Sequence, residues 1–213
     1  MSKLKTKIPT ETWVKATWDS YIQALENETE RKEKGYYHNG ELRIEMSPVG
    51  NDHANDHSFI TVAICFFATT KNMTLTVKDN CTYRKTGVKE AQPDVSCYIG
   101  ENADVVPWGT SIIDLDRYPP PTLAIEVANT SIVDDKGRKR QLYEELQVAE
   151  YWIVDVVNVQ VIAFAIADGS SEKIRESRVL PGLEISLLNE AFRMSRRMNQ
   201  IQVLNWLLTQ FQQ

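Results

Sequence analysis

Two acidic residues stand where acids are costly. Asp94 in QPDVSCYI and Glu126 in PPPTLAIEVA each interrupt an apolar, strand-like run. A carboxylate inside a sheet must be paired, hydrogen-bonded or bound to a metal. Two of them on neighbouring strands make a hard oxygen site suited to Mg²⁺. Side chains alternate along a strand, so Glu126 shares a face with Ala124 and Ala128, while Leu123, Ile125 and Val127 face the other way. These small neighbours predict room beside the carboxylate for ion, water and substrate. Asp94 falls on one face with Ser96 and Tyr98, opposite Val95, Cys97 and Ile99, and Pro93 suits a strand start.

A third group comes from the segment after Glu126. DDKGRKRQLYEELQVAE reads as a helix in which Asp135, Lys139, Leu142, Tyr143 and Leu146 recur at three- and four-residue steps and share one stripe. Lys139 then points to the core side. There it either snorkels or pairs with Asp135 one turn back, or it reaches the two acids. In the second case, acid, acid and ammonium surround a cation, a set suited to phosphodiester hydrolysis. The ion polarises the phosphate and lowers the pKa of a bound water, while the amine orients that water or offsets developing charge.

The elements that must position these groups are legible from periodicity. Residues 10–26 carry Trp18, Tyr21, Ile22 and Leu25 at helical spacing behind a cap-like Thr10. Asn39-Gly40 marks a two-residue hairpin turn, with Leu42, Ile44 and Met46 on the buried face and Glu41, Arg43 and Glu45 on the other. Residues 54–71 read as a mostly buried helix, LTVKDNCTYRK and PDVSCYIG as strands, and residues 101–121 as a long irregular connection expected to rim the site. TLAIEVA is a strand, and YWIVDVVNVQVIAFAI two strands joined near Asn158. This βαβ order predicts a right-handed crossover and some parallel pairing. From Leu187 one or two amphipathic helices place Leu204, Leu207, Leu208 and Phe211 on one side, to pack on the core or on another subunit.

The chain has 213 residues, 42% apolar and 25% charged, which predicts one domain over residues 1–213 with a substantial core. No run approaches the roughly 18 to 20 apolar residues of a membrane span, and no apolar segment follows the N-terminal lysines, so a soluble cytoplasmic protein is expected. Cys65, Cys81 and Cys97 lack paired short spacings and read as reduced thiols, with neither a disulfide nor a cysteine-bound metal expected. A formal charge of −5 argues against non-specific coating of nucleic acid but leaves local contacts open. The basic clusters at Lys136 to Arg140, Arg193 to Arg197 and Arg84-Lys85 read first as solvated charge.

In order and spacing, YYHNGELRIEMSPVGNDH, AQPDVSCYIG and LAIEVANTSIVDDKGRKRQLYEELQVAEYWIVDV resemble the Uma-type restriction endonucleases, a branch of the PD-(D/E)XK nuclease superfamily, over about residues 35–183. The resemblance implies an α/β (α+β) restriction-endonuclease-like core, with a mixed central sheet flanked by helices. It also implies Mg²⁺ or Mn²⁺ as cofactor and DNA as substrate. Residues 187–213 lie beyond it as a helical extension, and a homodimer is expected. Pro93-Asp94 matches the superfamily's PD and Glu126 its second acid. Where a lysine is usual two residues later, this chain has Ala128, as others of the Uma type have an apolar residue; Lys139, four residues before Tyr143, is the migrated lysine. The implied catalytic set is Asp94, Glu126, Lys139 and His53, and the metal set Asp94, Glu126 and Val127. His53 aligns with a histidine after the first hairpin, and otherwise reads as a local hydrogen-bonding residue at a helix start. Glu41 is a weaker candidate. His53 and His57 have the spacing of a zinc-protease motif but lack the glutamate after the first histidine. Asp155 reads as a strand-end polar group.

Three functions compete. The first is a metal-dependent DNA endonuclease. The second is a nuclease fold that binds or regulates without cleaving, which Ala128 and the acidic charge favour. The third is a hydrolase of a small phosphodiester.

Overall fold

The computed structural model describes residues 9–27, 34–46 and 50–212. Strand β1 (Val14–Lys15) precedes helix α1 (Trp18–Asn27), so the helix begins later than its apolar spacing predicts. Thr17 rather than Thr10 sits at its start, with its Oγ1 accepting from the Ser20 N–H at 3.2 Å. Val14 and Lys15 are drawn instead onto Leu42 and Glu41 as an edge strand. The hairpin follows as β2 (Lys34–His38) and β3 (Glu41–Glu45), with Asn39 and Gly40 at φ 51° and 74°, the left-handed pair that a two-residue turn of matching twist requires.

Next come helix α2 (Asn51–Thr70), β4 (Leu75–Asp79), β5 (Tyr83–Lys85), β6 (Lys89–Ala91), β7 (Val95–Ile99), β8 (Ile113–Asp114) and β9 (Leu123–Ala128). The segment after β9 is α3 (Ile132–Asp134), a π-helical turn (Asp135–Lys139) and α4 (Arg140–Leu146), which ends at Gln147 in the left-handed region. β10 (Glu150–Asp155), β11 (Gln160–Ala167), β12 (Ser170–Ile174), α5 (Ile185–Ser195) and α6 (Gln200–Phe211) complete the order. The strands form two six-stranded sheets, β1-β3-β2-β6-β5-β8 and β12-β11-β10-β9-β7-β4. LTVKDNCTYRK is therefore divided: β4 joins the second sheet and β5 the first, with Asn80 at φ 49° between them. In the second sheet β9 and β10 are parallel, as the intervening helix requires, and β9 is antiparallel to β7. The mixed α/β class expected from sequence holds.

One face of the second sheet carries Leu123, Ile125, Val127, Trp152 and Val154 into a core with Phe59, Ile60, Ile64 and Phe67 of α2 and with Leu188, Phe192, Leu204, Leu207 and Phe211 of α5 and α6. The apolar stripe of the C-terminal helices is thus spent inside its own chain, although Leu208 is only partly buried. The other face, with Ala124, Ala128, Tyr151 and Ile153, meets Leu142, Tyr143 and Leu146 of α4 and Tyr36 of β2.

Two expectations are corrected. The charged face of the hairpin is not solvated, because the β9–β10 connection covers it: Arg43 is 2% exposed and its guanidinium reaches Glu45, Asp134 and Glu11. The connection of residues 101–121 does not line the cavity around both acids, although its Ile112 lines the neighbouring cleft that reaches Asp94. It leaves β7 at Ile99, the end away from Asp94, and is anchored there by β8 pairing with β5 and by the Tyr98 hydroxyl donating to the Pro119 carbonyl at 2.8 Å.

The apolar side of the hairpin, Tyr37, Leu42 and Ile44, rests on Tyr21 and Ala24 of α1. The approach is so close at Gly35 that an added Cβ would lie 2.4 Å from the Tyr21 hydroxyl oxygen and 3.0 Å from Leu25. Tyr21 is held in place by donating to Glu90 at 2.8 Å. Gly35→Ala is expected to cost about 1–3 kcal/mol in urea unfolding, the usual cost of overpacking, with Gly35→Ala/Tyr21→Phe losing less than the two single changes added together. An unchanged midpoint for Gly35→Ala contradicts this packing.

Candidate active site

Strand register brings the two acids together. β7 and β9 pair as Val95↔Ile125, Ser96↔Ala124 and Cys97↔Leu123. One further step sets Asp94 opposite Glu126, on the face shared by Ser96 and Ala124. There the Asp94 side chain takes over from the ladder, Oδ2 accepting from the Val127 N–H at 2.7 Å. The hairpin register Lys34↔Glu45 and Tyr36↔Arg43 puts those four side chains on one face. The π-helical turn adds Asp135 and Lys139, joined at 3.1 Å.

Around these groups lies a cavity of about 190 Å³ whose lining includes Lys34, Glu45, His53, Asp94, Glu126 and Lys139, with Val127 alongside. Asp94 Oδ1 is paired with the Lys34 ammonium, and His53 Nε2 stands 3.5 Å from Oδ2. Glu126 Oε1 accepts from the hydroxyls of Tyr36 at 3.0 Å and Tyr143 at 2.6 Å. Lys139 Nζ lies 3.5 Å from Glu126 Oε2 and 2.7 Å from Glu45 Oε1, and it sits 4.3 Å from the centre of the Tyr36 ring. Lys139 therefore pairs with Asp135 and reaches one of the two acids, Glu126, while Asp94 is paired with Lys34 instead.

The space beside Glu126 differs from expectation. Ala124 and Ala128 do leave room, but the rings of Tyr36 and Tyr143 fill it and turn their hydroxyls onto the carboxylate. The open volume is bounded instead by Lys34 and His53 and by the loop from Asn129 to Ser131. Glu41 sits outside the site, in an ion pair with Arg138 at 2.7 Å. Asp155 accepts from the Asn158 backbone at 3.0 Å and closes the β10–β11 turn. Lys34, Glu45, Tyr36 and the hydroxyl of Tyr143 are the members that sequence reasoning missed. The signal for the first three was the hairpin register itself, since Asn39-Gly40 fixes which residues stand opposite one another.

Electrostatics separate the two acids. Burial pushes the Glu126 carboxyl up to about 8, with Asp94 and Asp135 adding repulsion and Lys139 opposing it. Burial acts on Asp94 in the same sense, but His53 and Lys34 outweigh it and hold that carboxyl well below the usual range. Burial alone would lower Lys139, yet Glu126, Glu45 and Asp135 keep it well above an ordinary lysine, so it stays charged. Tyr36 and Tyr143 are raised by burial and by Glu126 and remain protonated donors. Lys34 is spent on Asp94, and Lys139 is shared among Glu45, Asp135 and Glu126, which leaves Glu126 short of positive charge. Two hard carboxylates on one face with such a deficit fit a divalent cation. Asp94 and Glu126 can supply oxygens; Val127, whose N–H is given to Asp94, has only its carbonyl left to offer.

The family model Uma2, described as a putative restriction endonuclease, matches residues 18–200. The chain belongs to that family. The match runs from α1 into α6 and so takes in more of the chain than the motifs alone. A crystal structure described as a putative nuclease belonging to DUF820, from Anabaena variabilis ATCC 29413, is similar at 15% identity with a TM-score of 0.54, over 90% of this chain and 98% of the other. At that identity the likeness concerns the fold. No curated protein matches. Among the described residues, no helix of this Uma2 chain is long and apolar enough to cross a membrane.

The raised carboxyl makes stability depend on pH with a definite sign. Glu126 near 8 in the folded chain, against about 4.3 unfolded, contributes fully below the unfolded value and loses that contribution as pH rises towards 8. Glu126→Gln carries no such loss. In chelator, the melting temperature of Glu126→Gln minus that of the wild type is expected to climb between pH 5 and pH 8; a flat or falling difference contradicts the assignment.

Proposed function

We propose that this Uma2 protein is a Mg²⁺- or Mn²⁺-dependent DNA endonuclease, with Asp94 and Glu126 as the side-chain ligands, the Val127 carbonyl as a third and Lys139 as the catalytic ammonium. The observation that carries this reading is the pair of acids facing each other on adjoining strands, with a buried lysine nitrogen 3.5 Å from one of them. A divalent ion in that oxygen set supplies Lewis-acid polarisation of a phosphodiester and a more acidic bound water.

The protein groups do the remaining work. Lys139, fixed between Glu45 and Asp135, holds a full positive charge out of water where the phosphate's charge grows. Tyr36 and Tyr143 orient Glu126, and His53 orients Asp94. Lys34, at the mouth of the cavity, stands where a phosphate oxygen would arrive and is the first cation to give way. DNA as substrate comes from the family rather than from a base-reading element in this chain.

One observation favours the second reading, a binding module without turnover: Asp94 is already engaged by Lys34 and by the Val127 N–H. A plasmid-nicking assay with Mg²⁺ and Mn²⁺ separates the two. Asp94→Ala, Glu126→Ala and Lys139→Ala are each expected to cut the rate by at least about 100-fold, with circular dichroism showing retained fold. Nicking that survives all three changes overturns the site. DNA retention without nicking supports the binding module, and cleavage of a small phosphodiester without DNA retention moves the substrate class. The homodimer expectation gains nothing from α5 and α6, whose apolar faces are buried within the chain.

A further inference from the structure

We infer that this chain has a second metal position, built by His53, His57 and Asp94 and suited to a transition cation such as Zn²⁺ or Co²⁺. His53 and His57 lie one turn apart on α2, and one ligand atom from each, together with an Asp94 oxygen, fall within 4.8 Å of one another. Two imidazoles and a carboxylate favour first-row transition ions over Mg²⁺, which prefers oxygen alone.

Three features mark the position as prepared for a ligand. His53 presents Nε2 to Asp94 Oδ2 at 3.5 Å, and its other ring nitrogen, Nδ1, is buried with no hydrogen-bond partner among the described residues. Asp79 Oδ1 lies 3.0 Å from His57 Nε2; with Nδ1 as the ligating atom, this pair would be the carboxylate–imidazole arrangement that fixes a metal-binding ring. His53, His57, Asp79 and Asp94 also line a second cleft of about 820 Å³, which gives an ion a route in that does not pass Glu126 or Lys139. The position rests on the proposed function in sharing Asp94, which would bridge the two sites, and His53, which lines both.

The test is a Co²⁺ titration of the chelator-stripped full chain, read by visible absorption, with Zn²⁺ competition. The expected result is a cobalt band in the wild type that survives Glu126→Gln and millimolar Mg²⁺. His57→Ala and the milder His57→Gln should each weaken cobalt binding more than about tenfold. A wild type without a cobalt band, or a band unchanged in both His57 variants, overturns the inference. A band lost in Glu126→Gln but kept in the His57 variants also overturns it, while leaving the proposed catalytic position intact. Conversely, a cobalt band that depends on His57 in a protein that never nicks DNA keeps this position and removes the nuclease reading.

Discussion

Glu126 and Asp94 repel each other across one strand spacing, out of water, and the neighbouring elements are arranged to hold that repulsion in check. Lys139 reaches Glu126, Tyr36 and Tyr143 donate to it, and Lys34 and His53 take up Asp94. Burial outweighs these partners and the repulsion from Asp94 adds to it, which is why the Glu126 carboxyl stays near 8. A folded chain gains little stability from such a cluster. Buried ion networks repay their desolvation only in part, and well-packed apolar residues of similar volume often serve stability better. A second sheet, a π-helical turn and a two-sided hairpin converging on this cluster therefore point to chemistry rather than to packing.

The hairpin carries this division of labour within twelve residues. Its alternation gives Tyr37, Leu42 and Ile44 to α1, and Lys34, Tyr36, Arg43 and Glu45 to the acids. Arg43 joins Glu45 to Asp134, so the face that reaches the site is also tied to the segment that delivers Lys139. Irregular π turns are frequent at functional positions. This one sets Asp135 and Lys139 as partners while α4 continues into the core through Leu142 and Tyr143.

Much of this was legible before any coordinates. Asn39-Gly40 gave the hairpin, period-two alternation gave β7 and β9, and a charge in an apolar run singled out Asp94 and Glu126. The three-and-four spacing turned Lys139 inward. What stayed hidden has physical reasons. Alternation separates two faces of a strand but not whether both are covered, so Arg43 and Glu45 looked solvated. Lys34 lies at the end of a highly charged connector, and only its register opposite Glu45 across the hairpin sets it apart from a surface lysine. Small residues at Ala124 and Ala128 announce space without saying that tyrosines from elsewhere fill it. The run from Leu75 to Lys85 divides at Asp79-Asn80, a turn-favouring pair that its strand-forming flanks outweigh in a reading by alternation. Asp168-Gly169, at φ 52° and 72°, turns β11 into β12, a short polar edge strand with too little apolar content to stand out.

Whether a cation settles the charge between the two acids decides the chemistry of the site. Crystals soaked in Mn²⁺ and recorded at a wavelength where manganese scatters anomalously answer this directly. The expected result is a peak bonded to Asp94 and Glu126, with the Lys34 ammonium moved off Asp94. Full density for the unaltered Lys34–Asp94 pair, with no manganese within bonding distance of Glu126 at saturating concentration, contradicts it.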